Sequence, residues 1–166
     1  MNKIKSYDLL QDIYKHIFEQ LKYSELKNGI MLTFLIGIFY FAASNSLIIN
    51  DKVAILIFLL INIAITLFSF YPNLSSFTLF NKKDKDSIKN IYFFESIKHY
   101  THYEYLEILL KENDDLDNKN NKIFLDISSQ IIILSNITSA KHFIYKISFI
   151  YFCIFSTATL AIYFIG

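Results

Sequence analysis

The chain has 166 residues, of which 54% are hydrophobic, with a formal net charge of +1. That hydrophobic share exceeds the usual level for a soluble domain, and the near-zero charge gives no global field that would draw nucleic acid. All 16 basic residues are lysine, so the bidentate arginine clamp for phosphates and base edges is missing; the single cysteine, Cys153, excludes an intramolecular disulfide and a thiolate zinc cluster.

The first segment, residues 1–28, is polar with helical spacing. Ile4, Tyr7, Leu10, Tyr14, Ile17 and Leu21 recur at three- and four-residue steps, with Phe18 beside them. This reads as an amphipathic helix, with Asn28-Gly29 as a point of interruption or bending. It lacks the short apolar core and small-residue cleavage site of a signal peptide.

Residues 30–49, IMLTFLIGIFYFAASNSLII, and 53–71, VAILIFLLINIAITLFSFY, carry no charge. About 20 residues at ~1.5 Å each make ~30 Å, the thickness of a bilayer core. Asn50, Asp51 and Lys52 separate the blocks as a tight hairpin, and Pro72 follows the second. A third uncharged block, 147–165, ends the chain, with its apolar run starting at Phe143 if Lys146 snorkels. Five lysines precede the first block and nine lie between the second and third, against one in the hairpin and none at the C-terminus. The positive-inside rule then places the N-terminus and residues 73–142 in the cytosol, and the hairpin and C-terminus outside.

Within 73–142, residues 81–90 form a charged linker and NIYFFESIKHY a short apolar helix. Thr101 and Glu104 have capping-box spacing, which opens a second helix with the stripe Tyr105, Leu106, Leu109 and Leu110. Residues 113–121 are a solvated loop. No Pro or Gly lies between Asn73 and Ile165, so a helix can run from Lys122 to the C-terminus, roughly 44 residues or ~66 Å. Its cytosolic stripe is Phe124, Ile127, Ile131, Leu134 and Thr138. The expected fold is therefore all-α: three transmembrane helices (domains 29–72 and 143–166) and a small cytosolic helical domain built partly from extensions of the spans.

No catalytic motif, phosphate loop or nucleophile elbow is present, so the chain is not read as an enzyme, and no cofactor or metal is expected. Glu95, His99 and His102 have ligand-like steps, but the cap at Thr101 breaks their helix. Asp114, Asp115 and Asp117 lack the Gly and bidentate Glu of a calcium loop. Denser is the aromatic cluster Tyr92, Phe93, Phe94, Tyr100, Tyr103 and Tyr105 beside Lys98: rings stack on bases and a lysine meets a phosphate, although rings also pack small helical cores. Inside the apolar blocks, Asn45, Asn62, Thr66 and Thr157 are candidates for interhelical contacts, worth ~0.6–2 kcal/mol each, or for a water path.

The order of segments carries a likeness. Glu25-Leu26-Lys27 is an acidic-x-Lys step before the first span, and Pro72 ends the second. YFFESIKHYTHYEYLEIL places Phe93, Phe94, Thr101, Glu104, Tyr105 and Leu106 in a Phe-Phe and EEYLE-like pattern, and Leu134-Ser135-Asn136 with Lys141 precedes the third span. In these features, over nearly the whole chain from Tyr23, the sequence resembles the small transmembrane effectors of bacterial anti-phage cyclic-nucleotide signalling, the Pycsar effector family. It departs from the family at Glu95, where Gly is usual, at Asn136, where Lys is usual, and in a basic approach to the last span reduced to Lys141 and Lys146.

The resemblance implies a multi-pass inner-membrane effector made beside a nucleotide cyclase. A cyclic mono- or oligonucleotide is its expected activating ligand and the lipid bilayer its target; three spans are too few to enclose a pore, so a homo-oligomer is the expected acting form. The candidate ligand residues are Phe93, Phe94, Lys98, Tyr103, Glu104 and Lys141. The alternative is a non-signalling membrane scaffold or accessory subunit that holds a cytosolic partner.

Overall fold

The computed structural model describes residues 2–44, 49–71, 90–112 and 121–165. Five helices follow in order: α1 (Asn2–Ser44), α2 (Ile49–Phe68), α3 (Phe94–Ile97), α4 (His102–Glu112) and α5 (Lys122–Ile165). No strand occurs among the described residues. The long terminal helix has the length its Pro- and Gly-free sequence permits, 44 residues.

Asn28-Gly29 does not interrupt α1, which is 43 residues long. A mid-helix Gly costs about 1 kcal/mol against Ala, too little to break the helix, and Asn28 links α1 to α5 there. Its buried amide donates to the Ser24 carbonyl at 2.8 Å and to the Lys141 carbonyl at 3.3 Å. The expected hairpin at Asn50–Lys52 is corrected: those residues are helical and lie within α2 (Ile49–Phe68). Ser44 Oγ donates back along α1 to the carbonyls of Tyr40 (3.0 Å) and Phe41 (3.1 Å). Asn45 and Pro72 lie outside the described residues.

The chain divides into two compact units. The first comprises Met1–Tyr23 and Asn73–Ala140, the second Ser24–Pro72 and Lys141–Gly166. In the first, Leu10, Ile13 and Ile17 of α1 share a core with Phe94 and Ile97, with the α4 stripe Tyr105, Leu106, Leu109 and Leu110, and with Phe124 and Ile131 of α5. The expected stripes are found in part: Leu10, Ile17 and Leu21 of α1 and Phe124, Ile131 and Thr138 of α5 are buried. On α1, Ile13 is buried while Tyr7 and Phe18 stay exposed. On α5, Ser128 and Ser135 are buried and Ile127 and Leu134 flank them. Small hydroxyl residues let helices approach, and they meet their own hydrogen-bonding cost by donating back along the helix: Ser128 to Leu125 at 2.9 Å, Ser135 to Ile131 at 2.7 Å.

The second unit packs α2 antiparallel to α5. Phe58 stacks on Phe155 and Tyr151, and Asn62 meets Ser148. There α1 runs parallel to α5, with Asn28 at Lys141 and Phe34 edge-on to Phe152. Its exterior is apolar, and polar residues are buried beside a core of Met31, Leu35, Ala42 and Leu59. Ser24, Asn28, Asn62, Thr66 and Ser148 are buried, whereas Ile30, Tyr40, Phe41 and Ile154 are each more than 60% exposed (62%, 75%, 68% and 65%). Among the described residues, two helices are long and apolar enough to cross a membrane, over Ser6–Ser44 and Lys122–Leu160; the apolar part of α2, Val53–Phe68, is shorter.

Candidate functional site

The approach to α3 sorts the two phenylalanines. Asn90 Oδ1 accepts from the Tyr92 amide at 2.9 Å, closing a turn. Phe93 then has an extended backbone (φ −101°, ψ 129°) immediately before the helix. Adjacent side chains at such a junction diverge: Phe94 is 6% exposed and joins the core, while Phe93 is 44% exposed. The two rings remain 4.5 Å apart between centroids.

One turn on, a closed polar ring forms. Lys98 Nζ donates to Glu95 Oε2 at 2.6 Å and to Ser139 Oγ at 2.7 Å, and Ser139 donates to Glu95 Oε1 at 2.7 Å. Glu95 and Lys98 meet because they stand three apart around α3, and Ser139 comes from α5. The lysine side chain is nearly buried (7% exposed), the glutamate accessible (41%). Burial opposes ionisation of Glu95, but the hydrogen bonds from Lys98 and Ser139 and the charges of Lys98 and His99 outweigh it and hold the carboxyl below its ordinary value. Chemically, an ammonium and a hydroxyl converge on the two oxygens of the protein's own carboxylate.

The capping box is present: the Thr101 amide donates to Glu104 Oε2 at 3.0 Å and the Glu104 amide to Thr101 Oγ1 at 3.3 Å. Glu104 also borders an open depression of about 390 Å³ with Tyr100, Glu107, Ile108 and Lys111. Two carboxylates against one ammonium suit a phosphate poorly there. Tyr103 is 53% exposed, its ring 4.2 Å from His102. Tyr105 is fully buried with its hydroxyl donating to the Ile91 carbonyl at 3.1 Å, so it is a core residue. Burial and then the neighbouring Glu112 push the Tyr92 hydroxyl up from its ordinary value. Among the described residues, no group of three His, Cys, Asp or Glu side chains could hold a metal.

Of the sequence candidates, Phe93, Lys98, Tyr103 and Glu104 thus lie on the α3–α4 segment of the first unit, with Phe94 inside its core. Lys141 belongs to the second unit, where its Nζ meets Glu25 Oε1 at 2.7 Å. Asn62 and Thr66 form a buried network with Ser148. Asn62 Nδ2 donates to the Ser148 carbonyl (3.3 Å), Ser148 Oγ donates to Asn62 Oδ1 (2.6 Å), and Thr66 Oγ1 lies 2.7 Å from Ser148 Oγ. Thr157 is exposed and donates back to Cys153 and Ile154 of its own helix. Ser139 and Ser148, both central here, escape sequence reading. Each is an ordinary serine in an apolar stretch, and its partners lie 44 and 86 residues away.

A family model described as the Pycsar effector protein domain matches residues 9–166. No curated protein and no solved structure matches the chain.

Proposed function

The chain belongs to the Pycsar effector family, effectors of anti-phage cyclic-nucleotide signalling, and from that premise we propose that a cyclic nucleotide from a partner cyclase switches it to impair the inner membrane as a homo-oligomer. The observation that carries the membrane step is the apolar exterior of the second unit over buried polar contacts. Buried Asn62, Thr66 and Ser148 and outward Ile30, Phe41 and Ile154 suit lipid as the surrounding solvent and would be unfavourable in water. In this reading α1, α2 and α5 each cross the bilayer, with the N-terminus and the first unit cytosolic. Three spans are too few to enclose a path, so several copies assemble.

The ligand reading rests on the Lys98 ammonium and the Ser139 hydroxyl, with the exposed Phe93 ring beside the same helix for a base to stack on. The nucleotide phosphate takes the place of the Glu95 carboxylate. Such a ligand shifts the protein only by its differential affinity for the state in which Glu95 has left. Ser139 sits on α5, the helix whose Ser148 joins α2, so the exchange acts on a membrane helix directly.

A potential-sensitive dye followed after induction of a cognate cyclase tests this. Wild type should depolarise the cell only when the cyclase is active. Lys98→Ala should need more nucleotide. Glu95→Gly, which removes the internal competitor, should respond at lower nucleotide levels. Depolarisation without any cyclase would overturn the switch, and a Glu95→Gly variant no more sensitive than wild type would remove the competition. Topology is checked separately: a reporter fused after Gly166 should be exported and one inserted at position 116 cytosolic, and both on one side would refute three spans.

A further inference from the structure

The Glu25-Leu26-Lys27 step has no part in the switch just described, yet it is built into the second unit. Glu25 is engaged by Lys141 at 2.7 Å, which ties α1 to α5 and consumes the only acidic charge of the motif. Lys27 is differently placed. Its Nζ lies 4.8 Å over the face of the Tyr145 ring, at the end of a groove of about 230 Å³ with Met31 among its lining and walls that include Ile30 and Phe34 of α1 and Phe149 and Phe152 of α5. These wall residues recur at three- and four-residue steps on two parallel helices, so the groove follows both for about two turns, ~10 Å. Lys27 and Lys146 are the last charged residues of α1 and α5 before their uncharged stretches, the level at which a bilayer presents its headgroups.

We infer that this groove holds an acyl chain of an anionic phospholipid whose phosphate sits on Lys27. The inference rests on the membrane reading above. Charge selects the headgroup: Lys27, Lys141 and Lys146 stand against Glu25 alone among the Asp, Glu and Lys residues of 24–28 and 141–148. The choline of a zwitterionic lipid brings a second cation to that cluster, whereas a glycerol headgroup does not. The apolar walls select a hydrocarbon chain and offer a nucleotide base no edge partners.

The test is native mass spectrometry of the full chain, extracted in mild detergent and exposed to equal amounts of phosphatidylglycerol and phosphatidylcholine with the same acyl chains. Wild type should retain phosphatidylglycerol about fivefold in excess, the effect of one basic residue near an anionic surface. Lys27→Gln should bring the ratio close to one, while Lys146→Gln, an exposed neighbour, should keep most of the preference. Ile30→Trp, at a position 62% exposed and so tolerant of bulk, should fill the groove and reduce retention of both lipids. No preference in wild type, or equal losses in Lys27→Gln and Lys146→Gln, would overturn the site in favour of diffuse surface charge. A chain that leaves the membrane without detergent would overturn the membrane reading itself, and this inference with it.

Discussion

Phe94→Ala should unfold the first unit, and Phe93→Ala, one residue earlier, should leave it folded. Phe94 is 6% exposed in a core shared by α1, α3, α4 and α5, whereas Phe93 is 44% exposed. Truncating a buried Phe costs about 3–5 kcal/mol, against a total stability of about 5–15 kcal/mol for a whole domain. The first unit is small, so its margin sits at the low end of that range. Limited proteolysis in detergent reads the difference: Phe94→Ala should be cut rapidly between α3 and α5, and Phe93→Ala should resist like wild type. A folded Phe93→Ala that no longer responds to nucleotide identifies the ring as a ligand contact. A normal response from that variant removes Phe93 from the site. Equal proteolysis of both variants would contradict the placement of the rings.

That pair also marks where sequence reading stops. Two adjacent phenylalanines look alike until the backbone conformation at Phe93 is known, and the extended φ and ψ there are set by the turn at Asn90. Features that depend on local spacing were legible. The Thr101–Glu104 box closes within one turn, the α4 stripe follows the helical period, and a Pro- and Gly-free run yields the single long helix α5. Features that depend on which face of a long helix turns inward were legible only in part. On α5 the stripe correctly selects Phe124, Ile131 and Thr138, but beside them Ser128 and Ser135 are fully buried while Ile127 and Leu134 are only partly so, because close helix approach rewards small side chains over large ones. The same cause hides the candidate site: Glu95 and Lys98 stand visibly three apart, yet the group that completes their ring, Ser139, is supplied by α5. Between the first two apolar blocks, charge suggested a turn at Asn50–Lys52, whereas those residues are helical, within α2.

Asn62→Leu should insert normally, bind nucleotide and fail to depolarise the cell. Asn62 is wholly buried and its amide is paired on both sides by Ser148. Leu is more favourable in lipid than Asn, so insertion should not suffer. The substitution leaves no orphan hydroxyl, because Ser148 Oγ keeps Thr66 Oγ1 at 2.7 Å. The direct loss is therefore that of interhelical hydrogen bonds, about 0.6–2 kcal/mol, too little to unfold the chain. It is enough to change the balance between two arrangements of α2 against α5, since 1.4 kcal/mol is about tenfold in a population. Asn62→Ala separates hydrogen bonding from volume: if the amide decides, the smaller residue should give the same silent protein. Thr157→Val is the matched control, since Thr157 is exposed and bonded back to its own helix, and it should depolarise like wild type. Full depolarisation by both Asn62 variants would show that the Asn62–Ser148 contact only holds the resting helices together and has no part in the active assembly.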